Sequence, residues 1–177
     1  MGVQRKQKQK YQKVYVYIDG QNLYIGTMRA NPAWRLDYRR FYVYLRNKFN
    51  ATKIYYYIGA YDPRYKKLYT GLKKAGYILR FRLQAVKSIS HKKGNVDTDI
   101  VFDVMLVYCM DKDVGFVLVT QDGDFFRLIR FLIKKGRLVK VLFPNARKAS
   151  WLYRSLQNKY WIDLSSQQLR LELELVD

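Results

Sequence analysis

An α/β domain built on a mostly parallel central sheet, three layers thick, is the fold class this sequence predicts. Three observations lead there. Short apolar runs rich in β-branched and aromatic residues recur along the chain, separated by segments with helical apolar spacing. Several of these runs stop abruptly at aspartate, the pattern of buried parallel strands that deliver polar groups to one edge of a sheet. With 177 residues, 49% of them hydrophobic, the chain suits one domain with a substantial core. The expected boundaries are a flexible basic tail at 1–12, the domain at 13–164 and an extension carrying an amphipathic strand at 165–177.

The first strand is expected over Lys13–Gly20, where Val14 to Ile18 are β-branched or aromatic and Asp19-Gly20 ends the run. Asn31-Pro32 marks a loop. From Leu36 to Phe49, Phe41, Leu45 and Phe49 fall at helical spacing, with Asp37 in the first turn. Lys53–Ala60 is the second strand. Asp62 caps a helix that Pro63 starts and Gly76 stops, with Leu68, Leu72 and Ala75 on one face. Tyr77–Val86 alternates and gives the third strand. After a basic loop, a helix runs from near Val96 to Met110, with Ile100, Val104 and Val107 as its buried stripe, widened by Phe102, Leu106 and Cys109. Phe116–Thr120 is the fourth strand. Phe125–Lys135 is a helix with Leu128, Ile129, Leu132 and Ile133 inward, and Leu138–Phe143 is the fifth strand. Lys148–Asn158 has the spacing of a basic amphipathic helix, and Trp161–Leu164 that of a short edge segment. In the tail, Leu169, Leu171, Leu173 and Leu175 alternate with Arg170, Glu172 and Glu174, which predicts a strand needing a partner in this sheet or in a second copy of the chain, a homodimer contact.

Charge narrows the partners. Lys and Arg number 34 against 14 Asp and Glu, a net +20. Such a surface favours polyanions, and nucleic acid ranks above an anionic membrane because no long basic amphipathic segment stands apart from the domain. Cys109, the single cysteine, has no internal disulfide partner, and its apolar helical setting predicts a small buried hydrophobe; a cytoplasmic location follows as the expectation. No apolar leader precedes the first strand and no run approaches membrane-spanning length.

The acidic residues carry the chemical signal. Scarce in a basic chain, they gather in few places: Asp19 ends the first strand, Asp122 and Asp124 follow the fourth, and Asp97, Asp99 and Asp103 lie on one helix. Asp103 sits among Val101, Phe102, Val104 and Met105, where a carboxylate is costly unless it is paired or binds a metal. Carboxylates brought together repel one another unless a cation or proton intervenes. Oxygen donors without His or Cys favour Mg²⁺ or Mn²⁺ over zinc, and such an ion suits phosphodiester hydrolysis. Phosphate-cradling glycine motifs are absent, and the one histidine, His91, lies in the basic loop, which leaves little room for a Ser-His-Asp hydrolase.

Three segments carry a family resemblance. Ile18-Asp19-Gly20-Gln21-Asn22, then Lys93-Gly94-Asn95-Val96-Asp97-Thr98-Asp99 continuing to Asp103, then Val119-Thr120-Gln121-Asp122-Gly123-Asp124-Phe125 resemble the motifs of the NYN domain family, closest to its LabA-like branch, within the PIN-like nuclease superfamily. The resemblance covers roughly Val14 to Leu164. It implies a PIN-like Rossmannoid fold and a divalent-metal endoribonuclease. It also implies Asp19, Asp97, Asp122 and Asp124 as the acidic metal-site residues, Asn22 as the residue orienting the first loop or a water, and Asp103 as a supporting acid. Thr120-Gln121 stands where the family commonly has a small Ser-Gly pair, so Gln121 is the departure.

For RNA, single-stranded or structured, Lys87, Lys92 and Lys93 ahead of the acidic helix are placed to meet backbone phosphates. Arg64, with Tyr61, Tyr65 and Tyr69, offers cationic and stacking contacts. Two other readings stay open: an RNA-binding regulatory module with a weak or inactive pocket, and a small-molecule phosphatase with an aspartyl nucleophile, which the charge disfavours.

Overall fold

The computed structural model describes residues 11–82 and 96–175. Its sheet has six strands, β1 (Lys13–Asp19), β2 (Ala51–Ile58), β3 (Ile78–Phe81), β4 (Val114–Val119), β5 (Leu138–Phe143) and β6 (Trp161–Asp163). They run in the order β3-β2-β1-β4-β5-β6 and every pair is parallel. The chain moves one way from β1 to β2 and β3 and the other way from β4 outward. The gap between the carboxyl ends of β1 and β4 is therefore the topological switch point, where open α/β sheets hold their ligands.

Two-residue periodicity splits β1 between two cores. Val14, Val16 and Ile18 face one side with α1 (Gly20–Thr27), α2 (Tyr38–Phe49), α3 (Lys66–Ala75) and α6 (Gln167–Leu173), through Leu23, Phe41, Leu45, Leu72 and Leu173. Tyr15 and Tyr17 face the other side with α4 (Asp97–Met110) and α5 (Phe126–Lys134), through Ile100, Val104, Leu128, Ile129 and Leu132. The result is the three-layer α/β architecture of a PIN-like Rossmann-type fold.

Several local expectations change. The helix α1 is one that no periodic signal announced, because glycines at both its ends dilute the pattern. The third strand ends at Phe81, and the remainder of the predicted Tyr77–Val86 run lies mostly outside the described residues. Leu68 is exposed and Tyr69 takes its place in the core. On α4, Phe102 and Leu106 are exposed, as is Cys109, so the buried stripe is narrower than expected. In place of a helix over Lys148–Asn158, three short 3₁₀ turns follow β5, at Ala146–Lys148, Trp151–Ser155 and Asn158–Tyr160.

The tail is helical as well. Leu169 packs at the edge of the core and Leu173 is fully buried, while Leu171 points outward. The two inward leucines are four residues apart, a spacing that fits a helix face as well as a strand face. Among the described tail residues only Glu174 forms a β-bridge, to Leu36. The tail thus covers its own domain, and the strand on which a homodimer contact was to rest is not formed.

Candidate metal centre at the sheet switch point

The site begins with the two neighbouring strand ends. Asp19 caps α1: its carboxylate accepts the Asn22 backbone N–H at 3.0 Å and the Asn22 side-chain amide at 2.6 Å. It is 4% exposed. Burial pushes its pKa above the ordinary carboxylate value, against the pull of the hydrogen bonds from Asn22 and Gln21, and the charge of Asp122 adds to the rise.

The turn after β4 is tied to this cap. Asn22 Oδ1 accepts the Gln121 backbone N–H at 3.3 Å. Gln121 is buried, and its side-chain oxygen accepts the Asn145 N–H at 3.1 Å beyond β5. One glutamine thereby links β1, β4 and β5 at their carboxyl ends, so the residue that departs from the family pattern is built into the frame. Asp122 follows: its N–H donates to Thr120 Oγ1 at 3.1 Å, and its carboxylate accepts the Asp124 N–H at 3.0 Å, capping a 3₁₀ turn at Gly123–Phe125. The Tyr153 hydroxyl donates to the Asp122 carbonyl.

Opposite this turn lies the first turn of α4. Carboxylate oxygens of Asp97, Asp122 and Asp124 all lie within 4.8 Å of one another. Asp97 and Asp122 are half-buried and Asp124 is exposed. Three anionic oxygens this close, all hard donors, fit a divalent cation of the Mg²⁺ or Mn²⁺ kind. Asp97 gains from the α4 amino terminus, and α4 itself carries no lysine or arginine.

The other candidates fall elsewhere. Asp19 is not one of the three clustered carboxylates; it caps α1 and binds Asn22, within reach of the charge of Asp122. Asp103, six residues along α4 from Asp97, is held by the Tyr57 hydroxyl at 2.5 Å, with Arg80 at 3.9 Å. That pairing answers the cost of a mid-helix carboxylate. Asp99 is exposed and lines a shallow pocket with Asp103, Tyr57 and Arg80. Arg64 is engaged by Asp62 through a 2.6 Å ion pair, with Tyr61 and Tyr65 exposed nearby in sequence, whereas Tyr69 is buried. Lys87, Lys92, Lys93 and His91 lie outside the described residues. The sequence reading missed Ser150 and Tyr153, which buttress the Asp122 turn from the β5–β6 connection. Their hydrogen-bond partners in that turn, Gln121 and Asp122, lie 150 − 121 = 29 and 31 residues away in the chain, and no local pattern signals such a contact.

The chain matches the NYN domain family over residues 13–164. It belongs to that family. This NYN domain is therefore a member of the PIN-like nuclease superfamily, which suggests a hydrolase. Among solved structures it is similar to a protein of unknown function from Vibrio parahaemolyticus, at 20% identity and a TM-score of 0.74, covering 96% of this chain and 99% of that one. That likeness establishes the shared fold. No curated protein matches. Among the described residues no helix is long and apolar enough to cross a membrane.

Proposed function

We propose that this NYN domain is a metal-dependent endoribonuclease of the LabA-like kind that hydrolyses RNA phosphodiester bonds. The observation that carries the reading is the Asp97, Asp122 and Asp124 trio, gathered at the switch point of a chain with net charge +20. Those three carboxylates would hold Mg²⁺ or Mn²⁺. A divalent ion so held acidifies water and offsets charge on a phosphoryl oxygen. The protein's own groups do the rest. Asp19 fixes Asn22, and Asn22 fixes the Gln121 backbone, so the turn bearing Asp122 and Asp124 is set before substrate arrives. Arg64 and the lysines Lys87, Lys92 and Lys93 would draw in flanking phosphates of single-stranded or structured RNA. Asp103, turned toward Tyr57, supports the α4 wall of the site. The natural setting of such an enzyme is the cytoplasm.

The test is cleavage of varied single-stranded and structured RNAs with Mn²⁺ or Mg²⁺, beside EDTA and beside Asp122→Asn. Metal-dependent products that disappear in the variant are expected. RNA that is bound but left whole in both metals would replace this reading with that of a regulatory RNA-binding module.

A further inference from the structure

The connection between β5 and β6 is pinned against the acidic turn at three points. Ser150 N–H donates to the Gln121 carbonyl at 3.0 Å. The Tyr153 hydroxyl donates to the Asp122 carbonyl, and the Tyr153 ring is buried against Phe126 and Phe143. Gly123 meets the same segment so closely that a Cβ there would lie 2.5 Å from Ser150 Oγ and 3.2 Å from Leu152 Cδ1.

Between these anchors stands Trp151, and it is 72% exposed. The chain's other two tryptophans differ: Trp34 is buried and Trp161 half-buried. An indole held out into water on a fixed 3₁₀ turn offers a large aromatic face, with a polar N–H at its edge, of the kind enriched at interfaces. Arg147, Lys148 and Arg154 flank it, all exposed. An aromatic face, cations beside it in the chain and neighbours on both sides, Ser150 and Leu152, that touch the acidic turn together describe a place for a nucleotide, with its base on the ring and its phosphate among the cations.

We propose that Trp151 is a stacking platform for one unpaired RNA base beside the phosphodiester addressed by the Asp97, Asp122 and Asp124 cluster. The proposal rests on the nucleic-acid reading above and sharpens it, because it names the substrate class as single-stranded. A base inside a duplex is stacked on its neighbours and has no free face to offer, whereas any unpaired base does. Stacking on one aromatic ring contributes roughly ten- to hundredfold in affinity.

The experiment measures binding apart from cleavage. A labelled unpaired RNA oligomer and a blunt duplex of equal length are titrated by anisotropy in EDTA against the full chain, Trp151→Ala and Trp151→Phe. The parent is expected to favour the single strand. Trp151→Ala is expected to lose at least about tenfold for it while duplex binding is unchanged, and Trp151→Phe to stay within about threefold of the parent. Tryptophan fluorescence should fall as the parent binds single strand, and this quenching should be lost in Trp151→Phe even though affinity is kept. Single-strand binding by Trp151→Ala equal to the parent's overturns the proposal, as does equal loss on both RNAs, which would mark a contact blind to the base. Trp151-dependent binding with no cleavage in Mn²⁺ would sink the nuclease reading and leave the platform standing. Normal cleavage with unchanged binding in Trp151→Ala would do the reverse, and a parent that binds no RNA overturns both.

Discussion

Strands β1 and β4 are neighbours in the sheet and both lead into Asp-Gly turns, yet the two carboxylates live differently. Asp19 is buried and gripped by Asn22, and Gly20 beside it is walled in: a Cβ there would lie 2.4 Å from the Tyr56 ring and 2.6 Å from the Tyr57 carbonyl. Asp122 is half-buried, its turn opens toward α4, and what crowds Gly123 is the side chains of Ser150 and Leu152. The difference comes from position. Both strands have neighbours on each side, but Tyr56 and Tyr57 of β2 close over the end of β1, whereas the turn after β4 abuts the irregular connection that follows β5. The same dipeptide thus builds a walled-in support in one place and an open edge facing α4 in the other.

That contrast is most sharply tested by metal. Mn²⁺ at a hundredfold excess over its dissociation constant should stabilise the parent by about 2.7 kcal/mol, which is roughly 5–10 °C in Tm for a chain of this size. Asp122→Asn should lose nearly all of that rise in thermal melts, and Asp19→Asn should keep part of it. The opposite ranking would mean that the buried carboxylate, not the open one, is the principal ligand.

Glycine substitution comes next. Gly20→Ala should cost about 1–3 kcal/mol in urea unfolding, since an aromatic ring and a backbone carbonyl must both move. Gly123→Ala should cost less, because flexible side chains can yield. Equal costs would erase the distinction between the two turns.

The pH dependence is subtler. The folded pKa of Asp19 lies above its ordinary value of 3.8, because burial disfavours the charge. Between those two values the folded state binds more protons than the unfolded one, so stability falls as pH rises from about 3.8 through the raised pKa. In metal-free buffer, Asp19→Asn should flatten that decline, measured by urea midpoints from pH 4 to 7. An unchanged slope would place the titration elsewhere. The smallest effect expected is that of Tyr153→Phe, about 1 kcal/mol for the lost hydrogen bond to the Asp122 carbonyl.

Much of this was legible before any coordinates. β5 runs over Leu138–Phe143 as its apolar run predicts, and β1, β2 and β4 begin and end within two residues of expectation. Their strand character is written locally, in β-branched and aromatic residues. Asp122 and Asp124 were legible as carboxylates following an apolar run, whereas Asp97, in the first turn of α4, was assigned to the site by the family resemblance. What failed depends on contacts remote in sequence. Lys148–Asn158 has helical spacing, yet the Gln121 carbonyl claims the Ser150 N–H and the segment winds into 3₁₀ turns instead. Leu169 and Leu173 satisfy two periods at once, and only burial against Trp34 and α2 decides between them. α4 is apolar over most of its surface, so spacing alone does not say that Phe102 and Leu106 are left outside. Asp103 is paired by Tyr57 from β2, which no spacing within α4 foretells.

The strand order also fixes a timetable. β1 gains β2 early, but its other neighbour begins at Val114, paired with Lys13, 114 − 13 = 101 residues later. Contacts this distant make folding slow and leave the central strand with one bare edge while synthesis proceeds. The Asp122 turn and its Tyr153 brace come later still. A ribosome carrying a half-made chain therefore carries a strongly basic polypeptide in which the carboxylates are still apart, and the cluster of aspartates comes together only once nearly the whole domain has emerged.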